Sequence, residues 1–566
     1  MILQKLCELA SRISDIPPSM YGPLEIKWQI ELDKDGNCRG ITPLSGGTDS
    51  NRGLRLLVPN RKRSGTSPPP LLLTDKANYV LGLGAECPSK SWRFAAFKEL
   101  VDECAHQTGE PAVRAVNSFL NKYEQDPFVI PAEDLKVVDQ SDMMTFRVDD
   151  IRPIDLPSVQ QFWADKCSEE SSKMQCIVCG RIGPVDRVSP IAIKGIPGGQ
   201  SSGTQIVSAN KEAFESYGLT QALTAPTCRK CGEAYAHALN YMLKEDDYHV
   251  SVGPVAFVFW TSQETGFNAA TMISDPQPEE VRKLIESYKS GKKQFGLDAT
   301  AFYSLSLSAS GGRAVIRDWI YSTVPRVQAN LARWFALQKI VEWDGTDPQS
   351  YFGLGALARA LLPPKATSDQ LPKNVPRDLV RCALQASPLP SSFLAQVLLR
   401  NKAEQQVTRA RAALAKLALL SQMENVKEGY MEKLDETCKS AGYLCGRLLA
   451  ELEAAQRLAT DPKSTLVDRY YGAASSAPAT VFGYLLRDFQ VAHLSKLRKN
   501  NPAVCKAIDH RVQDILKDLV DFPKTLSVKE QALFSLGYYH QKAQDRAEAR
   551  EKKELKELQK LNEEEE

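Results

Sequence analysis

Histidine is scarce in this sequence, with 6 residues in 566. His106, His237, His249, His493, His510 and His540 stand apart, at no spacing that would hold a metal or serve a general base. No H-E-x-x-H string occurs, and the carboxylate pairs, such as Asp149 and Asp150, sit side by side on presumed loop. Charge of one sign is also lacking: 71 Lys and Arg face 69 Asp and Glu, so a polyanion must be met by local patches. No stretch approaches the roughly 18 to 20 apolar residues that cross a bilayer, which excludes a spanning helix, and no membrane partner is expected. The opening, MILQKLCELASRISDI, is amphipathic with charges at Lys5, Glu8 and Arg12, and reads as a mature cytoplasmic N-terminus.

Disulfide spacing is missing as well. Thirteen cysteines, an odd number spread from Cys7 to Cys505, argue for reduced thiols. What is present is an ordinary globular composition, 43% hydrophobic and 25% charged, over a length that predicts several cores.

The expected fold class is α+β in three parts: a β-rich N-terminal domain, a mixed α/β middle domain and a C-terminal α-helical bundle. Residues 1–155 begin strand-rich, with LEIKWQIELD and NCRGITPL around the turn DKDG, followed by two amphipathic helices broken at TGEP. Strand patterns at MMTFRVDD, IAIKGI, TQIVSAN and GPVAFVFW place the middle domain at 156–344. Seven prolines mark 345–394 as a connector, and helical spacing fills 395–545. There Met423, Val426, Tyr430, Leu434, Cys438, Leu444, Leu448 and Leu452 read as one long apolar stripe. The charged tail 546–566 suits a solvated helix that frays to a disordered end.

Two strings carry chemistry by spacing alone. Cys176-Ile-Val-Cys179-Gly and Cys228-Arg-Lys-Cys231-Gly form two knuckles, each able to turn two sulfurs toward one ion, which predicts a structural zinc ribbon. The alternatives are two unrelated reduced pairs or a redox pair. A four-sulfur site is closed and leaves no position for a reactive water. GGQSSGTQ, from Gly198 to Gln205, has the glycine spacing of a phosphate loop but lacks its lysine, and reads as a flexible loop.

Two basic features remain. Arg61, Lys62, Arg63 and Ser64 are consecutive, so a loop is the conformation that keeps all of them in water or on phosphate. A second set, Arg487, Lys496, Arg498 and Lys499, follows Tyr470 and Tyr471, which offer flat surfaces for bases. A solvated face without special purpose explains either set equally simply.

Particular strings then point to a family. Val58-Pro59 with Lys62-Arg63-Ser64-Gly65, Asn78-Tyr79-Val80-Leu81-Gly82, Ser201 to Asn210, Arg469 to Ser476, His493-Leu494-Ser495-Lys496-Leu497 and Leu536-Gly537-Tyr538-Tyr539 resemble, in order, the large subunit of the type I-C CRISPR surveillance complex, Cascade. The resemblance implies a non-catalytic subunit that reads the PAM on double-stranded DNA, stabilises the R-loop and supports recruitment of a helicase-nuclease. Its implied partners are the crRNA-bearing backbone and processing subunits, a small subunit, and the displaced strand. The small subunit would be translated from the C-terminal region, with Met423 or Met431 as its start. Arg61 to Ser64 would approach the PAM duplex with Asn78 as a second polar contact, and Tyr470, Tyr471, Arg487, Lys496, Arg498 and Lys499 would meet the displaced strand or neighbouring subunits. Two other readings compete: a zinc-ribbon nuclease or nucleic-acid-modifying enzyme, and a pure scaffold without DNA contact.

Overall fold

A computed structural model of the protein describes residues 2–14, 16–44, 53–61, 63, 66–169, 172–189, 191–209, 211–290, 300–427 and 429–565. The chain forms two compact units, one of Met1–Ile193 with Gln205–Tyr241, the other of Lys194–Thr204 with Met242–Glu566. The architecture is mixed α/β with a helical C-terminal region.

In the first unit the turn at DKDG forms as its residues dictate. Asp33 accepts the Gly36 and Asn37 amides, and Trp28–Leu32 pairs antiparallel with Cys38–Pro43. Trp28–Leu32 also pairs in parallel with Met143–Val148, which in turn meets Thr74–Lys76 antiparallel. A parallel neighbour requires a long crossover, and the helices Trp92–Thr108 and Pro111–Gln125 lie within it. They divide at TGEP: Gly109 ends the first with φ 67°, and Pro111 opens the second, where its missing N–H costs nothing. Phe94, Phe97, Phe119 and Phe146 are buried between helices and sheet, each burial contributing about 2–3 kcal/mol. Tyr21–Ile26 pairs with Leu54–Pro59 beside this sheet.

The second unit holds a four-stranded antiparallel sheet, in order Arg313–Thr323, Ala301–Ser310, Val255–Thr261, His249–Val252. Val255, Phe257 and Phe259 alternate onto the face that shares a core with helix Val324–Gln338 through Val327, Leu331 and Phe335. The same core takes in Leu354, Leu379, Phe393 and Leu394. Residues 345–394 are therefore more than a connector: they contain helices Leu354–Arg359 and Asn374–Gln385 and the start of Ser391–Glu404. Pro376 sits in a first helical turn and Pro390 at an N-cap, positions where proline starts a helix instead of breaking one.

Helix Ala441–Thr460 runs against Val528–Glu565 so closely that a Cβ at Gly446 would overlap the Phe534 carbonyl oxygen. Tyr443, Leu444, Leu448, Phe534 and Tyr538 fill this second core. Three further expectations need correction. The stripe from Met423 to Leu452 is not one helix, because residues 421–427 and 429–440 turn irregularly and the helix starts at Ala441. Among the described residues IAIKGI and TQIVSA form no strand; only Ile193, Thr204 and Gln205 enter isolated pairing there, in a stretch punctuated by glycine and proline. The charged tail stays helical to Glu565, sustained by i,i+4 pairs such as Arg550 with Glu554.

Candidate metal centre and nucleic-acid interface

The four knuckle cysteines converge in the first unit, their sulfurs all within 4.8 Å of one another. Cys176 and Cys179 cap a hairpin of Ser172–Gln175 and Ile182–Val185, and Gly180 turns the chain back with φ 74°. The second knuckle is built differently: Cys228 immediately precedes helix Arg229–Lys244 and Cys231 lies in its first turn, so Gly232 is helical and no second loop exists. Cys179 and Cys228 sulfurs lie 3.8 Å apart. A tetrahedron with Zn–S bonds of about 2.3 Å has an edge of about 3.8 Å, so the set fits zinc.

The electrostatics fit as well. Burial raises the Cys176 thiol, but the backbone amides of Cys179, Cys228 and Val178 donate to it and bring it down to about 7. Burial raises Cys228 and Cys231, the state expected of crowded thiols that a cation would relieve. The buried Arg229 guanidinium holds Asp186, through Nε to Oδ2 at 2.9 Å, and braces the helix start against the hairpin's end. Cys7, on the first helix, donates from Sγ to the Cys231 carbonyl at 3.5 Å and is pushed up to about 11 by burial.

The basic loop is not the free patch its sequence suggests. Lys62 and Ser64 lie outside the described residues. Arg63 forks onto Asp75, at 2.7 Å and 3.0 Å, and lies 5.5 Å over the Tyr79 ring. Asp75 is fully buried and also accepts the Leu71 and Lys76 amides. The reason is local: PPP at 68–70 turns the chain so that residue 63 meets the strand Thr74–Lys76, and a buried carboxylate needs a cation. Arg61 lies 5.7 Å over the buried Trp163 ring. Asn78 donates its backbone N–H to Gln140, but its side-chain Oδ1 is buried without a donor among the described residues.

Sequence reasoning missed two neighbours of this corner. Trp92 and Arg93 open the helix Trp92–Thr108, and Arg93 stacks 4.9 Å over the Trp92 ring and 5.8 Å from Tyr79. The signal was available for Trp92, since the inward stripe Phe94, Phe97 and Leu100 leaves position 92 off the core face.

In the second unit, Tyr471 is a correction. It is 1% exposed, its hydroxyl pairs with Ser535, and Phe534 and Tyr538 meet its ring edge-on, so no face remains for a base. Tyr470 is exposed on the same short helix. Arg487 lies over the exposed Tyr484 and pairs with Asp488. Lys496, Arg498 and Lys499 are exposed on Ser495–Asn500. The buried residues before and among them, Phe482, Leu485, Phe489, Leu494 and Leu497, step by three, four, five and three, and the five-residue step is a π-helical turn at Phe489–Leu494. That widened turn returns the apolar residues to the core and leaves the lysines outside.

The glycine loop is tied down: Gly199 bridges Gly311, and the Ala309 amide donates to Pro197. Residues 199–203 also spell G-x-S-x-G, but neither a strand before nor a helix after Ser201 builds a nucleophile elbow. His540 is buried; burial, then the charge of Lys416, pushes it down to about 3, and Tyr443 holds its Nδ1 at 3.0 Å.

The family model of the CRISPR-associated protein Cas_Csd1 matches residues 3–545. No curated protein matches the chain.

Proposed function

The chain belongs to the CRISPR-associated Cas_Csd1 family and is a Cascade-type subunit; from that premise we propose that it is the large subunit of a type I-C surveillance complex. It reads the PAM on duplex DNA, stabilises the opened R-loop and supports recruitment of the helicase-nuclease, and it cuts nothing itself. Guide pairing supplies sequence recognition, so this subunit needs only to read a few flanking base pairs and hold separated strands.

The observation that carries the reading is the Asn78 corner. Asn78 Oδ1 has no donor among the described residues and belongs to the residue next to Tyr79 of a cation–aromatic cluster; turned outward, it would accept from an amino group on a base edge. Arg63 shapes this corner through Asp75, while Arg61 and Arg93 supply positive charge. Zinc, when bound, supplies structure: Cys176, Cys179, Cys228 and Cys231 would tie the hairpin to the helix start. With four sulfurs the site is closed to water, which supports a non-catalytic role. Arg487, Lys496, Arg498 and Lys499 contact the displaced strand or a neighbouring subunit. The helical segment after Met431, whose side chain is buried with the bundle, serves also as a separately translated small subunit.

Binding of the assembled complex to guide-matched targets, with and without the flanking signal, tests this across a salt titration. Asn78→Ala is expected to reduce the preference for the correct flank by about 5- to 150-fold, the equivalent of roughly 1–3 kcal/mol. Equal binding by the unaltered complex whatever bases flank the match would overturn the reading.

A further inference from the structure

Trp92 is 44% exposed at the start of a helix whose other aromatic residues, Phe94 and Phe97, are buried. Its ring is not loose. Arg93 lies 4.9 Å over it, and Tyr79 meets it edge-on at 5.9 Å with an interplanar angle of 81°. Tyr79 is itself fixed, with its hydroxyl donated to the Pro68 carbonyl at 2.6 Å and Arg63 lying 5.5 Å over its ring. Asp75 locks Arg63 in turn. Two guanidinium groups and two rings thus interleave, and the outermost ring still presents apolar surface to solvent.

Held this way, an indole loses little freedom when a flat partner stacks on it, and neighbouring cations favour a partner that carries phosphate. We propose that Trp92, backed by Arg93, is a stacking platform for an unpaired nucleobase of a bound strand, with Arg93 facing its phosphates. This rests on the reading that the Asn78 corner faces nucleic acid. It adds a different kind of contact. Every base has a π-face, so Trp92 contributes affinity without base preference, whereas Asn78 contributes preference.

That division makes the test specific. Guide-matched targets carrying a single 2-aminopurine at successive positions across the junction of flank and match are bound to the assembled complex. The unaltered complex is expected to quench one position. Trp92→Ala loses that quenching and binds roughly 5- to 150-fold more weakly, equally for each natural base at that position. Trp92→Phe retains most of both, which separates stacking from misfolding. Trp343, 61% exposed and capped by Arg546 at 4.8 Å, is the same pairing in the other unit, and Trp343→Ala is expected to change neither readout.

Unchanged affinity and quenching in Trp92→Ala overturn the platform, as does an equal loss in Trp343→Ala. So does a complex that fails to assemble with Trp92→Ala while the variant folds, since the indole then docks on protein. If the unaltered complex shows no preference for any flank, the failure belongs to the proposed PAM reading. Quenching lost in Trp92→Ala would in that case still support the platform.

Discussion

Arg63→Ala separates a structural cation from a nucleic-acid ligand. Asp75 accepts four hydrogen bonds: 2.7 Å and 3.0 Å from Arg63, and 2.8 Å each from the Leu71 and Lys76 amides. Removing Arg63 leaves a carboxylate of 0% exposure with two amide donors and no counter-charge. Breaking a buried pair costs about 3–5 kcal/mol. The Arg63 side chain keeps 19% exposure, so solvent screens the pair in part and the lower end, about 3 kcal/mol, applies. For a unit of this size that is a fall of roughly 6–12 °C in Tm, read by thermal unfolding. Asp75→Asn, which keeps the acceptor and the shape, is expected to cost less. The double variant Arg63→Met with Asp75→Asn is expected to cost less than the two single changes added together. An Arg63→Ala protein that melts with the unaltered one while losing DNA affinity would refute this reasoning and return Arg63 to the phosphates.

Zinc is expected at one atom per chain by elemental analysis, and Cys176→Ser or Cys228→Ser is expected to abolish it and lower the Tm. Zinc-free protein with an unchanged melting curve would count against a structural ribbon. A second outcome concerns pH. Burial, then the charge of Asp545, pushes Glu451 up to about 7, while Arg511 and Gln541 donate to its Oε1 at 2.7 Å and 2.8 Å. The unfolded carboxyl releases its proton near 4.5, so between there and about 7 the folded chain binds more protons, and stability falls as pH rises. Glu451→Gln removes this dependence and is expected to gain on the unaltered protein by on the order of 2–3 kcal/mol between pH 4.5 and 7. A constant difference across that range would show that Glu451 is ionised when folded.

Spacing made some of this legible. The hairpin at DKDG, the helices divided at TGEP and the cysteine pairs depend on neighbours in sequence, and neighbours in sequence were enough. Where tertiary packing decides, the pattern misled. Tyr471 stands beside arginines and tyrosines in the chain, yet Ser535, Phe534 and Tyr538, some 64 residues away, enclose it. IAIKGI has the side chains of a strand but pairs only at the single residue Ile193, and β-propensity is a preference for a half-buried pleated surface that must exist first. The prolines of 345–394 were read as breakers because nothing local tells a first helical turn from an interior one. Trp92 was overlooked because the inward stripe drew attention to the face it does not occupy.

The cations show the same limit with a functional consequence. A count of basic residues treats Arg63, Arg487 and Lys499 alike, but what each can give a polyanion depends on what it must abandon. Releasing Arg63 from Asp75 strands a buried carboxylate, at about 3 kcal/mol, more than a single phosphate contact returns. Arg487 holds only the exposed Asp488, a pair worth about 0–1 kcal/mol, and phosphate can take it over. Lys496, Arg498 and Lys499 follow a π-helical turn on a segment, Phe482–Asn500, whose single acid is Asp488. Among the described residues they hold no ion pair that phosphate would have to replace. On the proposed reading, a chain with nearly balanced charge meets nucleic acid through the cations that folding left unspent, and among the described residues those concentrate on this helical segment more than on the loop where the sequence crowds them.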